Sequence, residues 1–314
     1  MPVTGPDSTH RSPTLWGLAV TFQRPEVLRS TLACILDQTR PPTNLVIVDN
    51  GSDHAVQSIA DAVSAVYLDA RTNIGPAGGF ALGLQHIVQQ AGTDDWVLLI
   101  DDDDPPRTST VLRDLWDLGQ ELYRQDPSVA GVGVGGSTYK PWSGTFRRLE
   151  DKDLSGVVDL DVLFGGSQPM YRVGALRTVP GFDTEFFWGF EEASLGLQLR
   201  SHGYRLCADG GAMLDARTAS GALGLRSRTI KTARDKAAWR RYYSVRNSTA
   251  LARRYGGPLA PLVTSLGGAV KGSYSLIRSG APKADAILPW RGAIDGLNLR
   301  LGMRVDPGNN SKNT

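Results

Sequence analysis

Residues Trp96 to Arg107 read WVLLIDDDDPPR. An apolar run suited to the inside of a sheet ends in four successive aspartates, and two prolines then bar its continuation. Four carboxylates at the tip of a buried strand repel one another, so the fold must bring something positive to them. Oxygen-only donors of this kind select a hard divalent ion, Mg2+ or Mn2+. A solvated acidic loop is the plainer use of the same residues, but the tract abuts Val97 to Ile100 directly and so sits at the edge of a core. The four histidines, His10, His54, His86 and His202, show no metal-ligand spacing, which speaks against zinc.

The preceding residues repeat one rhythm. Leu15 to Phe22 reads as a buried strand, followed by helical spacing in EVLRSTLACILDQT, with Leu28, Leu32, Ile35 and Leu36 on one face. NLVIVDNGS is a second strand ending in a turn, AVQSIADAVSA a helix, VYLDA a short strand, and PAGGFALGLQHIVQQA a helix with a glycine-rich start. The alternation predicts an α/β fold: a mainly parallel sheet with helices on both faces. Ligands of such sheets bind beyond the carboxyl ends of the strands. Thr21 to Arg24, Asp49 to Ser52, Arg71 to Gly79 and Asp101 to Asp104 all fall there.

RTNIGPAGGFALG lacks G-x-G-x-x-G spacing and follows the third strand, so it is a poor dinucleotide fingerprint, and no Gly-Lys-Ser/Thr makes it a phosphate loop. Its glycines either bring a helix N-terminus close to a phosphate or sugar, or simply allow tight helix–sheet packing.

Two cysteines in 314 residues do not make a disulfide framework, which makes a reducing cytosolic setting the default. The first fourteen residues read as a disordered tail without a signal pattern, and no apolar run is long enough to span a bilayer. From residue 231 onward, fifteen Lys/Arg face four Asp/Glu, a local balance of +11 that leaves −9 for the rest of a chain whose total is +2. A basic, aromatic-bearing end on an acidic body suggests an anionic partner such as a membrane surface, unless it is only a solvated helix pair. Trp239, Tyr242, Tyr243 and Arg246 look fit to anchor at such an interface. Nucleic acid would be drawn to the same charge, but no reading motif accompanies it.

TFQRPEVL…LDQTRPP…LVIVDNGS, NIGPAGGFALG and DWVLLIDDD together resemble the nucleotide-binding half of family 2 inverting glycosyltransferases of the GT-A fold, and most nearly the mycobacterial-type galactofuranosyltransferases that work on a lipid-linked acceptor. The resemblance covers residues 15 to 257. It implies a GT-A (Rossmann-like) catalytic domain over 15–230, with a nucleotide-binding half at 15–104 and an acceptor half at 105–230, and a basic helical C-terminal extension at 231–314. It also implies a UDP-sugar donor, a glycan or lipid-linked glycan acceptor, Mn2+ or Mg2+ as cofactor, and peripheral contact with anionic membrane on the cytoplasmic face. Oligomeric state stays open.

Residue by residue, the resemblance assigns Thr21, Phe22, Arg24, Asp49, Asn50, Asn73, Gly79, Asp101 and Asp102 to the donor, and Asp101 and Asp103 to the metal. Transfer also needs a base to take a proton from the acceptor hydroxyl. FFWGFEEASLGLQLRSHGYRL supplies one as a helix with acidic residues in its first turn and Gly203 as its stop. Capping is the plainer role for such acids. Aligned back from Gly203, Glu192 falls on the family's base, with Glu191 and Trp188 on the acceptor side. Ser194 stands where the family has a further acid. Where the family has a metal-binding histidine this chain has none, and Asp215 is the nearest substitute. In DVLFGGSQPMYR, read as strand, glycine turn and strand, Gly165 and Gly166 match an acceptor-side loop. A dTDP-rhamnose-dependent rhamnosyltransferase of the same fold would look nearly the same at the strand ends, and an inactive nucleotide-sugar-binding protein would keep Asp49 and Asn73 without needing Glu192.

Overall fold

In β1 (Leu15–Thr21), Trp16 and Leu18 enter one apolar cluster while Leu15 and Ala19 enter another. Both faces of the strand are covered, so the run is apolar without alternation. The computed structural model describes residues 11–164, 166, 168–224 and 237–307.

The first half follows the predicted rhythm: α1 (Pro25–Leu36), β2 (Asn44–Asp49), α2 (His54–Ala62), β3 (Val66–Asp69), α3 (Gly75–Gln90) and β4 (Trp96–Asp101). Its four strands run parallel. Pro25 opens α1, where its missing N–H costs nothing, and Leu28, Leu32 and Ile35 are buried. Leu36 is 39% exposed, beside the stripe instead of on it. Helices α1 and α2 join the cluster on one side of the sheet, and α3 joins the cluster on the other.

The second half adds α4 (Val111–Gln125), β5 (Val129–Val132), β6 (Gly136–Lys140), β7 (Thr145–Arg147), β8 (Val157–Leu160), β9 (Val162–Leu163), β10 (Met170–Arg172), α5 (Val173–Leu176), α6 (Glu191–Ser201), β11 (Arg205–Asp209) and α7 (Gly210–Ala219). The large sheet has the order β3-β2-β1-β4-β10-β5-β11-β8. Because β10 is antiparallel to both β4 and β5, and β11 is parallel to β5, six strands end on the same edge as β4. The strand–turn–strand reading of 161–172 is corrected: β9 pairs with β6 in a separate three-stranded sheet and β10 belongs to the large one. Gly165 lies outside the described residues.

Helices α8 (Ala238–Tyr255), α9 (Ala260–Arg278) and α10 (Leu288–Leu297) pack against one another. Ala250 and Leu251 of α8 share a core with Ala77 of α3, Tyr139 of β6 and Leu197 of α6. The expected boundary at 230/231 and residues 1–10 of the expected tail (1–14) lie outside the described residues. The disordered reading of residues 11–14 is corrected, since Arg11 pairs with Asp95, Thr14 N–H donates to Asp95 at 2.8 Å and the Thr14 carbonyl accepts from Trp96 N–H at 3.0 Å. The reading of Tyr242, Tyr243 and Arg246 as interface anchors is overturned, since all three are 0% exposed. The Tyr242 hydroxyl donates to Asp295 at 2.7 Å and that of Tyr243 to the Val305 carbonyl at 2.8 Å, so their polar ends are satisfied inside.

Candidate active site

The aspartate tract leaves β4 into a cradle built by β1 and α1. Asp102 is buried: its carboxylate accepts from Thr21 Oγ1 at 2.9 Å and Arg24 Nη2 at 2.6 Å, and its carbonyl accepts from Thr31 Oγ1 at 2.7 Å. Asp102 thereby ties the turn after β4 to β1 and α1. Thr21 is drawn into that tie. Arg24 also donates to Asp103 at 2.7 Å, so its guanidinium is the cation that makes the tract tolerable. Burial works to raise Asp103, but the Arg24 hydrogen bond and charge hold its carboxyl below the usual range. Asp101 has no such help. Burial first, then Asp103, Asp102 and Glu192, push it up to about 7, and its carboxyl hydrogen-bonds that of Asp103. Phe22, 39% exposed, stands over the end of β1.

On the β2 side, Asp49 is buried and its oxygens accept from the backbone N–H of Gly51 at 2.7 Å and of Asp53 at 2.6 Å, and from the Tyr67 hydroxyl at 3.0 Å. It organises the turn into α2. Asn50 donates to the Gly75 carbonyl at 3.0 Å, and its buried Oδ1 has no partner. Asn73 Oδ1 accepts from Gly75 N–H at 2.9 Å. Gly75 has φ +72°, and a Cβ there would sit 2.0 Å from the Phe187 carbonyl oxygen, so only glycine lets α3 start against that loop. At Gly79 a Cβ would meet Val20 Cγ1 at 2.4 Å and Asn50 Nδ2 at 3.1 Å, so the glycine lets α3 pack closely on β1 beside Asn50. Gly166, expected to admit a sugar, instead admits a side chain, since a Cβ there would lie 2.0 Å from Asp104 Oδ2.

The third contribution is the start of α6. Phe187, Gly189 and Phe190 all have positive φ (59°, 78° and 69°), a kinked approach that turns the chain into the helix. Non-glycine residues hold such angles only when their surroundings impose them. Glu191 follows, 7% exposed, with Oε2 unpartnered. Burial, then the charges of Glu192 and Asp101, push its carboxyl well above the usual range. Glu192 is half-buried, close enough to Asp101 and Tyr171 for its charge to raise both. Trp188 is half-buried, edge-on to Trp239 at 5.2 Å, with Arg240 at 5.6 Å from its ring.

What imposes the kinked approach was not anticipated from the sequence. Asn247 Nδ2 of α8 donates to the carbonyls of Phe186, Trp188 and Gly189 at 3.0, 2.9 and 2.8 Å. Arg246 Nη2 donates to the carbonyls of Glu185 and Phe186 at 3.1 and 2.8 Å, and its Nε holds Asn247 Oδ1 at 2.8 Å. An Arg-Asn pair inside the aromatic stretch YYSVRNST was the available signal: polar groups on a buried helix must have partners.

Asp101, Asp102 and Asp103 form the one group among the described residues able to offer three ligand atoms within 4.8 Å of one another. Hard oxygen donors, one of them held at a raised pKa by burial and like charge, fit a divalent cation. Asp215 is exposed on α7 and is not brought into that group.

Residues 18–165 match the family model described as glycosyl transferase family 2. That stretch is similar to a family 2 glycosyltransferase domain. Within the curated proteins, 100 residues are 40% identical to the galactofuranosyltransferase GlfT1 of Mycolicibacterium smegmatis, covering 31% of this chain and 32% of that one. Over 106 residues the identity to the GlfT1 of Mycobacterium tuberculosis is 38%, covering 32% and 34%. The matched stretch thus spans about a third of those relatives' length. Among solved structures, a mannosyltransferase of Pyrobaculum calidifontis, PcManGT, in complex with GDP-Man and Mn2+, superposes with TM-score 0.51 at 17% identity, covering 93% of this chain and 83% of that one. The glycosyltransferase domain therefore has the GT-A type of α/β fold, and the acidic tract and the start of α6 both border its strand-end crevice.

Proposed function

We propose that the chain is an inverting, metal-dependent glycosyltransferase that moves galactofuranose from its UDP-sugar to a glycan or a polyprenyl-diphosphate-linked glycan in cell-wall or surface polysaccharide synthesis, working at the cytoplasmic face of the membrane. The observation that carries this reading is the meeting of the three-aspartate group at the end of β4 with the start of α6, where Glu191 is buried with Oε2 unpartnered and Glu192 lies close to Asp101. Two separate elements aim carboxyl groups at one crevice, one set suited to a cation and the other to a proton. The names of the curated relatives support the donor sugar.

A divalent ion bound at Asp101 and Asp103 would neutralise the departing diphosphate. Glu191 is buried, whereas Glu192, half-buried beside Asp101, is the carboxylate that would accept the proton of the acceptor hydroxyl. The hydroxyl oxygen then attacks the anomeric carbon as its bond to diphosphate breaks on the opposite face, and the configuration inverts. Phe22, Asn50 and Asn73 border the crevice on the donor side, and Trp188 on the acceptor side. A role for Asp215 as a further ligand would need α7 to move toward the tract.

Calorimetric titration of UDP and dTDP, each with and without Mn2+, tests the donor reading. Metal-dependent binding of UDP is expected, and preference for dTDP would move the assignment to a deoxysugar. Glu192→Gln is expected to cut transfer by about 10²-fold or more while leaving UDP affinity within about twofold. Turnover equal to that of the unaltered protein would remove Glu192 from the role.

A further inference from the structure

Among the described residues twenty large apolar side chains are exposed, and ten of them lie between residues 259 and 294. On α9, Leu262, Val263, Leu266, Val270, Tyr274 and Ile277 are 48% to 63% exposed. At 3.6 residues per turn these six fall within an arc of about 120°. The buried side of the same helix is made of Ala260, Thr264, Ser265, Ala269, Gly272 and Leu276. Small residues on that side let α9 close onto its neighbours: a Cβ on Gly272 would lie 2.9 Å from Pro289 of α10. The helix therefore keeps most of its small and hydroxyl-bearing residues inside and its bulky apolar ones outside, the reverse of a helix that faces only water. On the adjoining α10 segment Ile287, Trp290 and Ile294 are exposed in the same manner, spaced three and four apart.

The exposed charges bordering this face are basic, and Asp285, half-buried beside Ile287, is the acid next to it in sequence. Between Asp235 and Asp285 the sequence holds nine Lys/Arg and no acid. Lys271 and Arg278, both exposed, border the apolar arc of α9, and Arg291 is exposed on α10. We propose that the outer face of α9 and α10 docks on an anionic lipid bilayer, with the apolar arc entering the interface and Lys271 and Arg278 meeting headgroup phosphates. No helix among the described residues is long and apolar enough to cross a membrane, so the mode is lying on the surface. A second copy of this chain fits less well, because a two-fold pairing would bring these cations against their own counterparts with no acid in the segment to meet them.

The surface lies on the two helices packed against α8, the helix whose Arg246 and Asn247 hold the loop before α6. Its purpose rests on the reading of a lipid-linked acceptor. Binding itself needs neither donor nor acceptor, so the two can fail separately.

The test is flotation of the full chain with vesicles of phosphatidylcholine alone and with about a third phosphatidylglycerol. The protein is expected to rise with the anionic vesicles and at least tenfold less with the neutral ones. The double variant Leu262→Asp/Leu266→Asp, with thermal midpoint and UDP affinity as folding controls, is expected to lose at least tenfold of the bound fraction. Lys271→Glu/Arg278→Glu is expected to lose several-fold. Wild-type protein that stays at the bottom with anionic vesicles would overturn the proposal, as would an aspartate variant that floats equally well. A wild-type dimer that never floats, and that the aspartate variant turns into a monomer, would assign the face to a second copy and overturn it too.

Discussion

Asn247 serves three carbonyl oxygens with two amide hydrogens, and those carbonyls belong to the loop that aims Glu191 and Glu192. Asn247→Ala takes this donor from the Trp188 and Gly189 carbonyls, leaves the Phe186 carbonyl to Arg246, and releases the positive-φ turns at Phe187 and Phe190. Leaving buried polar groups unmet costs about 1–3 kcal/mol, so a lowered thermal midpoint is expected, read by calorimetric scanning. Transfer is expected to fall by about tenfold or more while UDP affinity, set on the β1, β2 and β4 side, changes by less than about threefold. A parallel loss of UDP binding would mean that the brace supports the whole crevice. At this scale the sequence was legible where chemistry is unusual. Four aspartates after an apolar strand, and two glutamates in the first turn of a helix behind an aromatic loop, narrow the uses. Asp49 and Gly79 were less legible. A carboxylate that ties its own turn and one that reads a ligand present the same letters, and a glycine under a helix looks like a glycine beside a phosphate.

The elements of the first half could be read because each is long enough to show its period, and consecutive elements are neighbours in space. Strand β10 could not be placed so: its three residues, Met170 to Arg172, insert antiparallel between β4 and β5, and pairing across about seventy residues to β4 and about forty to β5 leaves no local trace. The far edge of the sheet is tied by Arg205 of β11, which reaches Asp126 before β5 at 2.7 Å and Asp159 of β8 at 2.9 Å. Hydrogen bonds from Ser128 and Arg205 hold the Asp126 carboxyl at about 2, below its ordinary 3.8. A carboxyl lowered on folding stabilises the fold fully above 3.8, and that contribution disappears as pH falls through about 2. Asp126→Asn keeps an acceptor for Ser128 but removes the charge. It should lower the thermal midpoint at neutral pH by a small amount, as exposed pairs do, and the difference should close toward pH 2. Midpoints measured across that range check it, and a difference that persists unchanged in acid would deny the linkage.

At the scale of the molecule, the acidic body and the basic end were legible from charge alone, yet the inference drawn from the aromatic side chains inverted their places. Tyr242 and Tyr243 are core, and the outward apolar face is on α9, whose bulky residues no motif marked. Composition says which residues a segment owns; only packing says which way they point. A chain ended after residue 224 would lose α8 and with it fully buried Tyr242, Tyr243, Ala250 and Leu251. Burying each large side chain contributes about 1.5–3 kcal/mol, so such a fragment is expected to lack a cooperative thermal transition although it contains the whole matched domain. A sharp transition in the fragment would show that the sheet stands alone. The matched domain ends before α6, and the loop leading into α6 is shaped by a helix some sixty residues further on. On the proposed acceptor role of residues 185–192, transplanting them between relatives would require Arg246 and Asn247 to move with them, because the two stretches work as one exchangeable unit.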